Sequence, residues 1–266
     1  MSLLPIYVEA VSLCGPGLQD WASSQPVLAG NDRYHPGPTV LPAPPGLSAA
    51  EQRRAVPSVR LALSVGAAAV RQSRLDPAVL PAVFASSGAD GQTIDAILTA
   101  LTLPAREVSP TRFHNSVHNA PSGYWGLAMR SQEMVSSIGC HDASFTAGLL
   151  EAAVQVVARK QPVLLVAYDL PYPEPLDCVR HIGATFGVAF VLSPARTDRT
   201  LAELRLGLSS DPGQTTTCAD RAMEELRLTN PAARSLPLLV ALASQQAGRI
   251  RLELSRGALD VDVVPC

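Results

Sequence analysis

Short apolar runs alternate along this chain with longer stretches of helical periodicity. Residues 5–13 (PIYVEAVSL), 80–87 (LPAVFASS) and 134–140 (MVSSIGC) have the length and composition of strands, and we expect the last of these to be buried. The run PVLLVAYD, 162–169, is apolar almost throughout, which is typical of a strand buried on both faces of a parallel or mixed sheet. The alternation predicts a layered α/β domain with a mixed sheet and packed helices.

The helical stretches have recognisable beginnings. Ser48-Ala-Ala-Glu51 is a capping box, and the helix that it opens runs to Arg74 with a break at Pro57. Residues 91–102 have helical spacing, and another helix is predicted to begin near Ser122. The helix predicted from Ala143 to Lys160 has six side chains expected to face inward: Phe145, Leu149, Leu150, Ala153, Val156 and Val157.

The second half of the chain has a different pattern. Residues 182–192 and 201–208 predict a hairpin-like pair of strands, followed by helices around 217–228 and 233–246. Two alternating stretches, 249–254 and 258–264, meet at Arg256-Gly257 and predict a closing β-hairpin. We therefore expect one domain over residues 1–266, with a core at 5–208 and a tail of helices and a hairpin at 209–266.

The composition of the chain argues against several classes of function. The 266 residues are 47% hydrophobic and carry a net charge of -2, with 21 basic and 23 acidic side chains. This balance supplies no basic surface for nucleic acid or an anionic membrane. The five cysteines are odd in number and lack CxxC spacing, so neither a disulfide framework nor a structural zinc site is expected. Without a signal peptide pattern or membrane span, the chain is expected to be cytoplasmic.

The stretch from 113 to 169 carries the most information about function. Asn119-Ala-Pro-Ser-Gly123 leads into an apolar helix, and a strand, a small-residue helix and PVLLVAYD follow. This order resembles the β-ketoacyl synthase family of the thiolase fold, especially its short relatives that have only the N-terminal domain. Weaker similarity extends over most of residues 5–208. The resemblance implies a thiolase-like ketosynthase N-terminal half, with no cofactor.

In an active member of that family, a cysteine at the start of a helix accepts the acyl chain as a thioester. Counting along the resemblance places the nucleophile position at Asp142, where an aspartate is expected to cap the helix by accepting backbone N–H groups. Cys140 lies two residues earlier, at what should be the buried end of a strand. The family's C-terminal histidine and lysine motifs also have no counterpart here. The resemblance therefore implies no catalytic residues.

Two functions follow from these observations. The first is a non-catalytic partner, similar to a chain-length factor, that heterodimerises with a full-length ketosynthase and shapes its acyl tunnel in fatty-acid, polyketide or aryl-polyene-like biosynthesis. By the resemblance, Phe113, Val117 and His118 lie at the tunnel gate, and an acyl carrier protein is an indirect partner. The alternative is a stand-alone condensing enzyme or acyl hydrolase with Cys140 as nucleophile and His114, His118 or His141 as base. These histidines lack acidic or cysteine partners at ligand spacing, so no metal is expected.

Overall fold

The computed structural model describes residues 4–211 and 213–266 and places eight strands in one sheet. The domain predicted over 1–266 and its tail at 209–266 include residues 1–3 and 212, which lie outside the described residues. The strands are β1 Leu4–Cys14, β2 Ala82–Ala85, β3 Val135–Ile138, β4 Val163–Asp169, β5 Phe186–Ser193, β6 Ala202–Ser209, β7 Gly248–Glu253 and β8 Ala258–Pro265. Their order across the sheet is β3-β2-β4-β5-β1-β6-β8-β7.

Helices cover both faces of this sheet. In the described parts of the chain they are α1 Trp21–Leu28, α2 Ala49–Arg54, α3 Pro57–Ser73, α4 Gly91–Thr102, α5 Pro110–Asn115, α6 Ala120–Met129, α7 Ser144–Arg159, α8 Arg221–Thr229 and α9 Leu236–Ser244. Strands β3, β2 and β4 are parallel, and the other neighbouring strands are antiparallel. The predicted layered α/β fold with a mixed sheet is therefore confirmed.

The central strand β4 contributes side chains to the hydrophobic cores on both faces of the sheet. Its residues alternate between the faces of the sheet: Leu164 and Val166 belong to the core under α3, whereas Val163 and Leu165 belong to the core under α7. Every residue of β4 is buried, as its apolar run predicts. Gly148 lets α7 lie close to the sheet, because a Cβ at this position would stand 2.7 Å from the Cβ of Ala85.

The hairpin predicted from 182–192 and 201–208 is wrong in its pairing. Both stretches form strands, β5 and β6, but β1 lies between them and is antiparallel to each. The register of β1 shifts at Glu9, whose buried carboxylate accepts hydrogen bonds from the hydroxyls of Thr197 and Thr200 in the β5–β6 connection. This connection therefore crosses β1 near its middle instead of making a tight turn, and β1 pairs with β5 through residues 7–14 on one edge and with β6 through residues 4–8 on the other.

Several local predictions hold and others need correction. The capping box forms, with Ser48 N–H donating to Glu51 Oε2 at 2.8 Å and Glu51 N–H to Ser48 Oγ at 3.3 Å. The strand predicted as buried at 134–140 is only half-buried, since β3 is the outer strand of the sheet. Val157, expected to face inward, is 37% exposed, and helix α5 was not predicted. The closing hairpin of β7 and β8 forms as expected.

Candidate functional site

The turn between β3 and α7 contains Cys140, His141 and Asp142. His141 has a φ of 50°, a left-handed conformation that is uncommon in residues other than glycine, and residues 141–143 form one 3-10 turn. Ser144 holds this turn: its Oγ accepts the Cys140 N–H at 2.9 Å and donates to the His141 carbonyl at 2.7 Å. A tight turn therefore presents three consecutive polar side chains at the beginning of a long helix.

The Asp142 carboxylate is bound by an arginine from a distant loop. Arg180 Nη2 donates to Asp142 Oδ1 at 2.7 Å, and His141 Nδ1 lies 3.5 Å from Oδ2. The predicted capping role is wrong: among the described residues, the carboxylate accepts no backbone N–H, because Asp142 lies inside the 3-10 turn and Ser144 bonds the local backbone instead. Asp142 thus forms a half-exposed ion pair and offers no thiol for an acyl chain.

Cys140 lies beyond the end of β3 and is half-buried, not buried as expected. Its backbone N–H is hydrogen-bonded, but within the described residues no hydrogen bond joins its sulfur to a histidine. Residues 4–211 and 213–266 contain no group of three histidine, cysteine, aspartate or glutamate side chains arranged to hold a metal ion. The structure therefore does not assemble a cysteine–histidine pair at this turn.

The three histidines considered as bases are dispersed. His114 is exposed and packs edge-on against Tyr124, with ring centroids 5.9 Å apart. His118 Nε2 lies 3.0 Å from the Ser86 carbonyl oxygen, and because a carbonyl only accepts, Nε2 carries the proton. His141 faces Asp142. Each imidazole thus has its own local partner.

The three predicted gate residues do not share one environment. Phe113 and Val117, on α5 and just after it, line an open groove of about 430 Å³ together with Tyr124 and Leu127 of α6. Phe113 is 68% exposed, which is unusual for a phenylalanine in a folded domain. His118 does not line this groove and turns towards the end of β2. The structure brings Phe113 and Val117 together and separates His118 from them.

A second polar cluster, which no sequence pattern predicted, lies at the carboxyl ends of β2 and β4. Asp169 Oδ1 accepts from the Ser87 N–H at 2.9 Å, from Ser87 Oγ at 2.6 Å and from Ser86 Oγ at 3.2 Å. Burial raises the pKa of Asp169 to about 6, although the bonds from Ser87 and Ser86 oppose this shift. The signal in the sequence was an aspartate that ends an otherwise apolar strand.

The loop after β4 covers this cluster. Tyr172 packs on Gly88 and Gly91, where an added Cβ would stand 2.1 Å from its side chain in each case. Beyond Tyr172 lies a mostly apolar pocket of about 220 Å³ that Ile94, Leu176, Val179 and Arg180 also line. Because Arg180 also binds Asp142, it connects this pocket to the turn that precedes α7.

The sequence of residues 20–254 matches the family described as "Beta-ketoacyl synthase, N-terminal domain". The chain belongs to this family. The match covers residues 20–208 of the predicted core together with α8, α9 and β7, so most of the tail predicted at 209–266 lies within it. A search of curated proteins finds no match. Within residues 4–211 and 213–266, no helix has the length and apolar character needed to cross a membrane.

Solved structures confirm the ketosynthase fold of this family member. A chain of the ketosynthase ApeO in complex with its chain length factor ApeC, from Xenorhabdus doucetiae, aligns with a TM-score of 0.74 at 20% identity, covering 98% of this chain and 99% of that one. A chain of AntDE:AntF, a type II PKS acyl-carrier protein in complex with its ketosynthase, aligns with a TM-score of 0.74 at 11% identity and covers 100% of both. The ishigamide ketosynthase/chain length factor gives 0.67 at 13% identity, covering 97% and 98%.

Proposed function

We propose that this protein is a non-catalytic chain-length factor that heterodimerises with an active β-ketoacyl-ACP synthase and shapes its acyl tunnel. The observation that carries the proposal is the ion pair between Asp142 and Arg180 at the turn where family resemblance locates the nucleophile. A carboxylate held by a guanidinium cannot accept an acyl chain as a thioester. Two similar structures are described as pairs of a ketosynthase and a chain length factor, which supports this role.

The edge of the sheet at β3 supplies the interface. Within the described residues β3 pairs only with β2, and it contains neither proline nor charge to protect its outer edge. Helices flank it on both faces: Ser122 of α6 bonds Ser137 at 3.1 Å, and Gln155 of α7 bonds Ser136 at 3.1 Å. Such an edge can pair with a strand of another protein through backbone hydrogen bonds.

Four apolar side chains are exposed on the elements that flank this edge. We call the set formed by Leu127, Met134, Val154 and Val157 the β3 edge face, since these residues lie on α6, just before β3 and on α7, and each is exposed. Clustered exposed apolar residues mark interaction surfaces in soluble proteins. The Phe113 groove reaches Leu127, so it is continuous with this face. The partner's acyl tunnel therefore ends against Phe113 and Val117, whose bulk limits the length of the product.

We infer the pathway from the family resemblance. The active subunit performs the decarboxylative condensation with a carrier-bound extender, and this chain contributes steric limits in fatty-acid or polyketide synthesis of the aryl-polyene kind. The acyl carrier protein docks on the catalytic partner and reaches this chain only through the growing acyl chain.

Copurification with a full-length ketosynthase from the same source tests the proposal. A Val154→Lys variant places a charge in the β3 edge face, and Leu228→Lys on α8 is the matched control, because Leu228 is also an exposed apolar residue on a helix. We expect the wild type and Leu228→Lys to elute with the ketosynthase as a 1:1 complex in light-scattering chromatography, and Val154→Lys to elute alone. Equal recovery of both variants in the complex would refute the interface. A monomer that condenses acyl groups without any partner would refute the function.

A further inference from the structure

A buried carboxylate with one unused oxygen stands at the carboxyl end of β4. The Asp169 side chain is 3% exposed, and its Oδ1 accepts three hydrogen bonds from Ser86 and Ser87. Its Oδ2 is also buried, and among the described residues it has no hydrogen-bond partner. Leaving a buried charged oxygen without a partner is costly, so native proteins rarely do so.

A second buried carboxylate borders the same small cavity. Asp90 caps α4: its Oδ1 accepts the Thr93 N–H and hydroxyl, each at 2.9 Å, and its Oδ2 accepts the Ser58 hydroxyl at 3.0 Å. Asp90 and Asp169 both line the cavity, and the remaining lining residues are Ser58, Ser86, Gly88, Ala89, Gly91, Tyr168, Leu170 and Tyr172. No lysine or arginine lines it within the described part of the chain.

Among the residues that the structure describes, no lysine or arginine balances the charge of this cavity. The guanidinium of Arg180 lowers the pKa of Asp169 less than the bonds from Ser86 and Ser87 do, and it donates its hydrogen bond to Asp142. The positive end of the α4 dipole faces Asp90 and offsets about half a charge. Two buried carboxylates therefore share a space whose walls supply oxygen atoms and apolar groups but no cation.

We infer that this cavity binds one monovalent metal cation, Na⁺ or K⁺, through Asp169 Oδ2 and neighbouring hydroxyl or carbonyl oxygens. Hard cations take oxygen ligands of this type. Only one carboxylate oxygen is free, which suits a single positive charge better than a divalent ion. The cavity also has room for about one water-sized sphere, and a dehydrated Na⁺ or K⁺ ion fits such a space.

Thermal unfolding in matched salts tests this inference. The wild type is melted at about pH 8 in NaCl, in KCl and in N-methyl-D-glucamine chloride at equal ionic strength, since the organic cation is too large for the cavity. A cation that binds only the folded chain with a dissociation constant of about 10 mM would raise the folded-to-unfolded ratio about tenfold at about 100 mM. We expect a higher melting temperature in at least one of the metal salts, with a saturable dependence on its concentration.

The variant Asp169→Asn keeps the size of the side chain and removes its charge, and we expect it to melt at the same temperature in all three salts. Asp142→Asn is the matched control, since it removes a half-exposed carboxylate outside the cavity and should keep the full cation effect. Equal melting temperatures of the wild type in the three salts would overturn the inference and assign the space to a water molecule or a proton. A full cation effect in Asp169→Asn would also overturn it.

A direct measurement does not depend on how the variant folds. Crystals of the wild type grown in rubidium chloride should show an anomalous peak within bonding distance of Asp169 Oδ2, because Rb⁺ replaces K⁺ in most oxygen sites. A cavity without anomalous signal, combined with no salt effect on melting, would rule out the cation site. Neither result bears on heterodimer formation, so the two proposals can fail separately.

Discussion

Asn230 connects the tail to the site, and its replacement should be among the most destabilising polar changes in the molecule. Its side chain is fully buried. Its Nδ2 donates to the Ala184 carbonyl at 2.7 Å and to the Asp169 carbonyl at 3.2 Å, while its Oδ1 accepts the Ala233 N–H at 3.1 Å. One amide therefore joins the end of β4, the approach to β5 and the turn before α9.

The magnitude follows from these three bonds. Asn230→Ala removes all three bonds, although the Ala233 N–H keeps the main-chain carbonyl of residue 230 as an acceptor at 3.1 Å. At about 1 kcal/mol for each lost bond, the free energy of unfolding should fall by about 2 to 3 kcal/mol. Asn230→Asp should cost more at neutral pH, because a buried carboxylate oxygen would then face the two carbonyl oxygens in place of the amide N–H group. Protonation of this aspartate should recover part of the loss as the pH falls.

Urea unfolding followed by tryptophan fluorescence and circular dichroism measures the effect. Asn31→Ala is the control, since Asn31 is exposed and its side chain makes no hydrogen bond within the described residues; its effect should stay within about 0.5 kcal/mol. A loss below about 1 kcal/mol for Asn230→Ala would refute the reasoning, because it would mean that water or neighbouring groups satisfy the freed carbonyls.

Three further predictions concern the gate, the thiols and the buried carboxyl. In the reconstituted pair, Phe113→Ala should lengthen the product, measured by mass spectrometry, since it removes an exposed ring from the groove. Burial shields the sulfurs of Cys14 and Cys218 and raises their pKa to about 11 and about 12. Iodoacetamide at about pH 8 should therefore label Cys178 well before these two, because Cys178 is exposed, although its bond to Glu174 also raises its pKa. Because burial raises the pKa of Asp169 to about 6, protonation favours the folded state; this contribution is complete below about pH 4 and is lost as the pH rises through 6.

Each of these predictions has an outcome that would contradict it. An unchanged product distribution would remove Phe113 from the gate. Labelling of Cys14 or Cys218 as fast as that of Cys178 would contradict the predicted order, and fast selective alkylation of Cys140 would favour the stand-alone enzyme. For the carboxyl, the comparison is between the wild type and Asp169→Asn in N-methyl-D-glucamine chloride. The stability of the variant relative to the wild type should rise from about pH 5 to about pH 8, and a constant difference would show that Asp169 does not titrate in this range.

Several helices and strands could be predicted from the sequence because the features that determine them lie within a few residues of one another. The helix at 91–102 forms over the predicted residues, with Asp90 accepting the Thr93 N–H at its beginning. Likewise, the capping box at Ser48 predicts the start of α2, and the apolar run of β4 predicts a buried strand. Periodicity and capping depend on residues that are close in sequence, so predictions based on them do not require knowledge of the fold.

The errors have the opposite cause. Asp142 was expected to cap a helix, but its partner is Arg180, 38 residues further on, and the Asp169 cluster joins β4 to Ser87, 82 residues earlier. Likewise, the sequence predicts that β5 and β6 pair as a hairpin, but β1 lies between them, and its Glu9 binds the connection that joins them. Family resemblance supplied the fold and the candidate positions, because an ordered series of strands, helices and motifs can be read along the chain. The chemistry of those positions was decided by the tertiary structure, since burial and ion pairing depend on which distant segments the sheet brings together.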